Sequence, residues 1–253
     1  MIADNNLNLK FNYEEGYVFT SDGVKIAYNS YKTGKNTVLI IAPGWFMSKD
    51  SHAFIQISNS FCKNYDVINF DFRGHCKSGG RYTFGRDEIW DLSAIVDFAR
   101  KTYKNIYLMG FSLGALISLN YCASNNNIDK LIAVSAPTDF WKIENNVFSP
   151  NAFIPTLKKF EFKRWTSIRF KSPFYNKIKP IDVVDKIVST PIYFIAGEND
   201  PIIKPWHNHL LFEKAIVPKK EILVFRGKHA EDIYLENKDF FVETCLKWLD
   251  CGE

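Results

Sequence analysis

Cysteine is scarce in this chain of 253 residues, and it is not arranged to bridge. Cys62, Cys76, Cys122, Cys245 and Cys251 are odd in number and scattered, with no Cys-x-x-Cys pair. That excludes a disulfide framework or a cysteine zinc site as the organising principle, and it predicts reduced thiols. Long apolar runs are missing as well. No stretch approaches the roughly 18 apolar residues a spanning helix needs, and the opening Met1-Ile2-Ala3-Asp4-Asn5-Asn6 has no basic region leading into an apolar core. The expectation is a cytoplasmic protein. Charge of one sign is not in excess, since the net charge is only +4, so a nucleic-acid partner is not expected. His207 and His209 stand two apart with no third ligand in a recognisable pattern, and no metal site is expected. Internal repeats and low-complexity linkers are also lacking.

The chain does have enough apolar residues, 46%, to bury one sizeable core, with 24% charged and an ample 16% aromatic. One α/β domain over residues 1–253 is expected. Residues 18–20 and 24–31, around Ser21-Asp22-Gly23, read as a hairpin. Residues 37–42, Thr-Val-Leu-Ile-Ile-Ala, read as a strand buried on both faces. Strands at 66–70, 106–109, 129–135, 191–196 and 221–225 then alternate with helices. Those helices are expected around Phe54, Ile57 and Phe61, and at about 86–101, 115–122, 209–215 and 238–249. Such alternation implies a mainly parallel, doubly wound sheet with helices on both faces, whose ligands bind beyond the carboxyl ends of the strands.

The alternation breaks between residues 140 and 179, where Pro150, Pro155 and Pro173 interrupt any period. Nine basic residues there face only Glu144 and Glu161, so this window carries +7. It reads as a cap insertion over the carboxyl edge of the sheet. Its aromatics, Phe148, Phe153, Phe160 and Trp165 among them, either line an acyl pocket or pack the cap onto the domain. The cations either meet an anionic head group or membrane surface, or are solvated.

At the centre lies Gly110-Phe111-Ser112-Leu113-Gly114, between an apolar strand and an apolar helix. A tight strand-to-helix turn would push the serine hydroxyl out at the carboxyl end of the sheet. A serine needs a base, and the base needs an acid to fix its tautomer. His229, in Gly227-Lys228-His229-Ala230-Glu231, is the histidine that follows a late strand and lies downstream of every candidate acid. Asp200, in Gly197-Glu198-Asn199-Asp200-Pro201, follows the strand at 191–196, while Asp139, after the strand at 129–135, is the rival. His75 and Arg73 read as residues that pin the loop after Asp71.

These motifs, with Asp71-Phe72-Arg73-Gly74-His75-Cys76-Lys77-Ser78-Gly79-Gly80, give the chain its family likeness. It resembles the α/β-hydrolase superfamily over nearly its whole length, and is most similar to short-capped esterases, acylglycerol lipases and serine aminopeptidases. The resemblance implies the α/β-hydrolase fold with a short cap and a Ser112, His229, Asp200 triad. It also implies oxyanion donors at the backbone N–H groups of Leu113 and Trp45, and no cofactor. Two departures stand out: Pro43-Gly44 where members often have His-Gly, and Arg73-Gly74-His75-Cys76 where they often have Arg-Gly-His-Gly. The expected substrate is a small-molecule or lipid-like carboxylic ester, because a cap with two acids offers little to hold a peptide's ammonium group. Amide, thioester or carbon–carbon hydrolysis by the same triad remains open, as does a binding protein without turnover, and the oligomeric state is not readable.

Overall fold

The computed structural model of the chain describes residues 11–145, 167–224 and 226–251. A hairpin of β1 (Glu14–Phe19) and β2 (Lys25–Tyr31) opens it, turning through Gly23 at φ 80°. There follow β3 (Thr37–Ala42), α1 (His52–Phe61), β4 (Asp66–Phe70), α2 (Glu88–Arg100), β5 (Asn105–Phe111), α3 (Leu113–Ser124) and β6 (Lys130–Val134). After a 3-10 turn at Phe140–Lys142, the chain resumes with α4 (Pro180–Val183), β7 (Ile192–Gly197), α5 (Pro205–Lys214), β8 (Lys219–Val224), α6 (Glu231–Glu236) and α7 (Lys238–Asp250). Among the described residues these strands form an eight-stranded sheet in the order β1-β2-β4-β3-β5-β6-β7-β8. The pairs β1–β2 and β2–β4 are antiparallel, and every pair from β4 through β8 is parallel.

The sheet is covered on both faces for the reason its central strand displays. Successive side chains of β3 point to opposite faces. Val38, Ile40 and Ala42 enter a core shared with Leu92, Ile95 and Val96 of α2, Leu116 of α3 and Leu211 of α5. Leu39 and Ile41 enter a second core with Phe54, Ile57 and Phe61 of α1 and Phe241 and Leu249 of α7. The residues from Val38 to Ala42 are fully buried, and each larger aliphatic side chain contributes roughly 1.5–3 kcal/mol. The five cysteines are free thiols, and burial pushes Cys62 and Cys122 up to about 12.

The expected doubly wound sheet is therefore the observed one, with local differences. Helix α5 starts at Pro205 rather than near residue 209, because a proline at its first turn presets the helical φ without sacrificing a hydrogen bond. The short α6, six residues directly after His229, was not expected, being too brief to show a period.

From β3 the chain moves to β4 on one side and returns to β5 on the other, so the strand order reverses between β3 and β5. In α/β sheets that reversal opens the ligand crevice at the carboxyl ends. The segments following these two strands are Pro43-Gly44-Trp45 and Ser112. Their approach is so close that a Cβ added at Gly114 would stand 2.3 Å from the Ala42 carbonyl oxygen and 2.4 Å from that of Pro43.

Gly114→Ala sets helix propensity, which favours alanine by about 1 kcal/mol, against a clash with backbone atoms. Packing should win, with a net loss of about 1–3 kcal/mol read as a lower denaturant midpoint; an unchanged or raised midpoint would refute the close approach.

Candidate active site

Ser112 sits between β5 and α3 at φ 52° and ψ −118°, a conformation that costs a non-glycine residue about 1–3 kcal/mol and persists only where its surroundings enforce it. They do so on each side. Its N–H donates to the Val134 carbonyl at 2.8 Å, and its own carbonyl accepts from Ala115 and Leu116 at 3.0 and 3.1 Å. A Cβ at Gly110 would meet the Ala115 Cα at 2.7 Å, which is why the turn tolerates only glycine there. Ser112, which this turn presents, is 8% exposed.

The structure brings Ser112, His229 and Asp200 together although 117 residues separate the first two. His229 Nε2 lies 3.0 Å from Ser112 Oγ, and His229 Nδ1 lies 2.8 Å and 3.1 Å from Asp200 Oδ2 and Oδ1. Asp200 Oδ1 also accepts the backbone N–H groups of Ile202 and Ile203 at 2.8 and 2.9 Å. A carboxylate can only accept here, so Nδ1 carries the proton and the lone pair of Nε2 faces the hydroxyl.

Burial by itself would raise the Asp200 carboxyl. The His229 imidazolium, its hydrogen bond and the two backbone donors outweigh that and hold it below the usual aspartate value. Burial likewise presses His229 toward the neutral form, while Asp200, with smaller contributions from Glu231 and Asp232, pulls its pKa above the ordinary histidine value. Ser135, at φ 48°, accepts the Ala230 N–H on its Oγ at 3.0 Å, and Ala230 itself stands at φ 49°. This bond ties the His229 loop to the end of β6, and no local sequence signal marks it.

The first four N–H groups of a helix lack intrahelical acceptors. In α3 those of Ala115 and Leu116 turn back to Ser112, and Leu113, the residue after the serine, opens the helix. Gly44 packs onto the same residue, an added Cβ lying 3.2 Å from Ser112 Cβ. The rival acid is committed elsewhere. Asp139 caps the 3-10 turn by accepting the Trp141 N–H at 2.9 Å, and it pairs with Lys179 at 3.1 Å. His207 and His209 face different partners, the former buried against Thr138 and Glu144, the latter exposed and 3.0 Å from Glu221. Arg73 bonds Asp91 on α2 and Asp22 in the first hairpin, fastening the loop after β4. Cys76 sits at φ 36°.

Phe148, Phe153, Phe160 and Trp165 lie outside the described residues. An apolar wall joins Phe170, one of the aromatics of the same window, to rings from two other connections. The Trp45 ring stacks on Tyr82 at 4.8 Å and contacts Phe84 at 4.8 Å, and Phe170 closes on both Trp45 and Phe84 at 6.2 and 6.1 Å. Phe170 is held by a parallel bridge to Tyr82 and remains 53% exposed.

The model of a family described as the alpha/beta hydrolase fold matches residues 37–160. No curated protein matches the chain. Among solved structures, an esterase from Pyrococcus furiosus is 23% identical, with a TM-score of 0.75 over 95% of this chain and 93% of that one. An esterase from Rhodococcus sp. ECU1013 is 17% identical, with a TM-score of 0.79 over 94% and 99%. One from Exiguobacterium antarcticum is 16% identical, with a TM-score of 0.75 over 94% and 100%. The chain therefore has the alpha/beta hydrolase fold. Among the described residues no helix is long and apolar enough to cross a membrane.

The raised pKa of His229 depends on the Asp200 charge, so Asp200→Asn should lower it and leave burial to push it below the ordinary value. Titration of the His229 imidazole by NMR in both proteins reads this directly; an unmoved pKa would mean the two groups are not coupled.

Proposed function

We propose that the chain is a serine hydrolase of carboxylic esters working through an acyl-enzyme, a single hydrolase domain with residues 140–179 as its short cap. The observation that carries this reading is the unbroken hydrogen-bond chain from Asp200 through His229 to Ser112 Oγ, at 2.8 and 3.0 Å. His229 Nε2 takes the hydroxyl proton as Ser112 Oγ attacks the carbonyl carbon. The backbone N–H groups of Leu113 and Trp45 receive the charge that develops on the carbonyl oxygen, and Asp200 stabilises the imidazolium. Collapse of the tetrahedral intermediate expels the alcohol, which collects the proton from His229. Water, deprotonated by the same imidazole, then releases the acid and restores Ser112.

The substrate side of the site supports an apolar acyl group. Trp45 offers an N–H toward the reacting carbonyl and, through its side chain, one face of the wall with Phe84 and Phe170. A lipid-like ester suits that arrangement better than a charged acid. The esterases that share the fold agree with this reading at the level of reaction type.

Hydrolysis of p-nitrophenyl esters from acetyl to palmitoyl tests it. Wild type should turn over with an optimum at medium or longer chains, and Ser112→Ala should fall by at least about a thousandfold while keeping its fold. Full activity in Ser112→Ala would remove the assignment. Because the base acts only when neutral and its pKa is raised, kcat/KM should climb with pH through an ionisation above the ordinary histidine value; a profile flat through that range would contradict His229 as the base.

A further inference from the structure

We propose that His75 is a positioning residue for the oxyanion site: it holds the turn that carries Trp45, in addition to anchoring its own loop. This rests on the hydrolase reading for its catalytic consequence, but the contact itself does not. His75 is 1% exposed and lies in the loop after β4. Its Nδ1 is 3.2 Å from the Arg73 carbonyl oxygen, which can only accept, so Nδ1 carries the proton. The lone pair of Nε2 is thereby left to accept the Phe46 backbone N–H, at 3.3 Å. Both ring nitrogens are used in one tautomer, and they join two loops 29 residues apart.

The turn at Gly44-Trp45-Phe46-Met47 needs such a fastening. Phe46 stands at φ 71°, a left-handed conformation that a bulky residue keeps only when held. Met47 N–H closes the turn on the Gly44 carbonyl at 3.2 Å, and its far end is secured by Asp71, which accepts from Ser48 Oγ at 2.7 Å and Lys49 N at 2.8 Å. His75 supplies the hold at the apex. Its ring also meets the Trp45 ring edge-on at 5.2 Å and Tyr82 at 4.7 Å, so the imidazole holds the peptide that follows Trp45, the residue assigned as oxyanion donor, and packs against its side chain. Glycine at position 44 leaves the turn little intrinsic stiffness, and proline before it cannot donate a bond.

Two variants of similar polarity separate this from general packing. In His75→Gln the side-chain amide reaches the position of Nε2 and can present an acceptor to Phe46; in His75→Asn it reaches only the position of Nδ1. Backbone hydrogen exchange at Phe46 and ester kinetics are read on both, with His75→Phe as a ring-retaining variant lacking any acceptor. His75→Asn and His75→Phe should exchange at Phe46 about tenfold faster than wild type or more. Their kcat should fall by about tenfold to a hundredfold at a KM within about twofold, and His75→Gln should restore both to within a few-fold. Unchanged exchange at Phe46 in folded His75→Asn would overturn the contact, and wild-type kcat there with faster exchange would overturn its catalytic role. Absence of Ser112-dependent turnover in wild type would instead sink the hydrolase reading, and with it the catalytic role of His75, while the exchange rates still decide the contact.

Discussion

Everything at this site depends on how closely two backbones approach at the carboxyl ends of β3 and β5. Gly114 sits against the carbonyls of Ala42 and Pro43, and Gly44 sits against Ser112, with no side chain between them. That contact seats the turn after β3 directly against the serine. It also explains why strain gathers here: Phe46 and Ser112 both adopt left-handed backbone conformations within these two connections. Strain of this kind is maintained by bonds from elsewhere, and the donors and acceptors come from β6, from the loop after β4 and from the start of α3.

The triad is held by the same logic on its other side. His229 and Asp200 reach Ser112 from the loops after β8 and β7, and each loop is fastened by backbone donors rather than by side-chain bulk. The electrostatics then follow from geometry. A buried carboxylate stays ionised because His229 and two backbone N–H donors converge on it, and its charge in turn raises the imidazole.

What the sequence disclosed divides along a physical line. The parallel strands were legible because burial on both faces makes continuous apolar runs, as in β3 and β7. Ser112, Asp200 and His229 were legible as a constellation because each follows a strand and their order along the chain suits the fold, and the fit of Asp200 over Asp139 then became a matter of distance. The fastenings were not legible. Ser135 accepting from Ala230, and His75 accepting from Phe46, join segments 95 and 29 residues apart through single bonds with no periodic or local signature. The aromatic wall showed only in part for a similar reason: Trp45, Tyr82, Phe84 and Phe170 come from three separate connections, and density of aromatics pointed to Phe170 together with residues 148, 153, 160 and 165. Helix α6 was too short to register.

The position of β8 has a consequence for how such a molecule would wear out. Among the described residues it is the last strand in the sheet, paired on one side only, and Lys220 and Leu223 are exposed along it. The imidazole is carried on the loop that follows this strand, whereas the serine rides on β5 near the middle. Strand edges open at lower free energy than sheet centres. Mild heating would therefore loosen the outer seam and withdraw the base while the cores around β3 and β5 stay closed, so the first casualty of thermal ageing would be the alignment of the site, ahead of the melting of the domain.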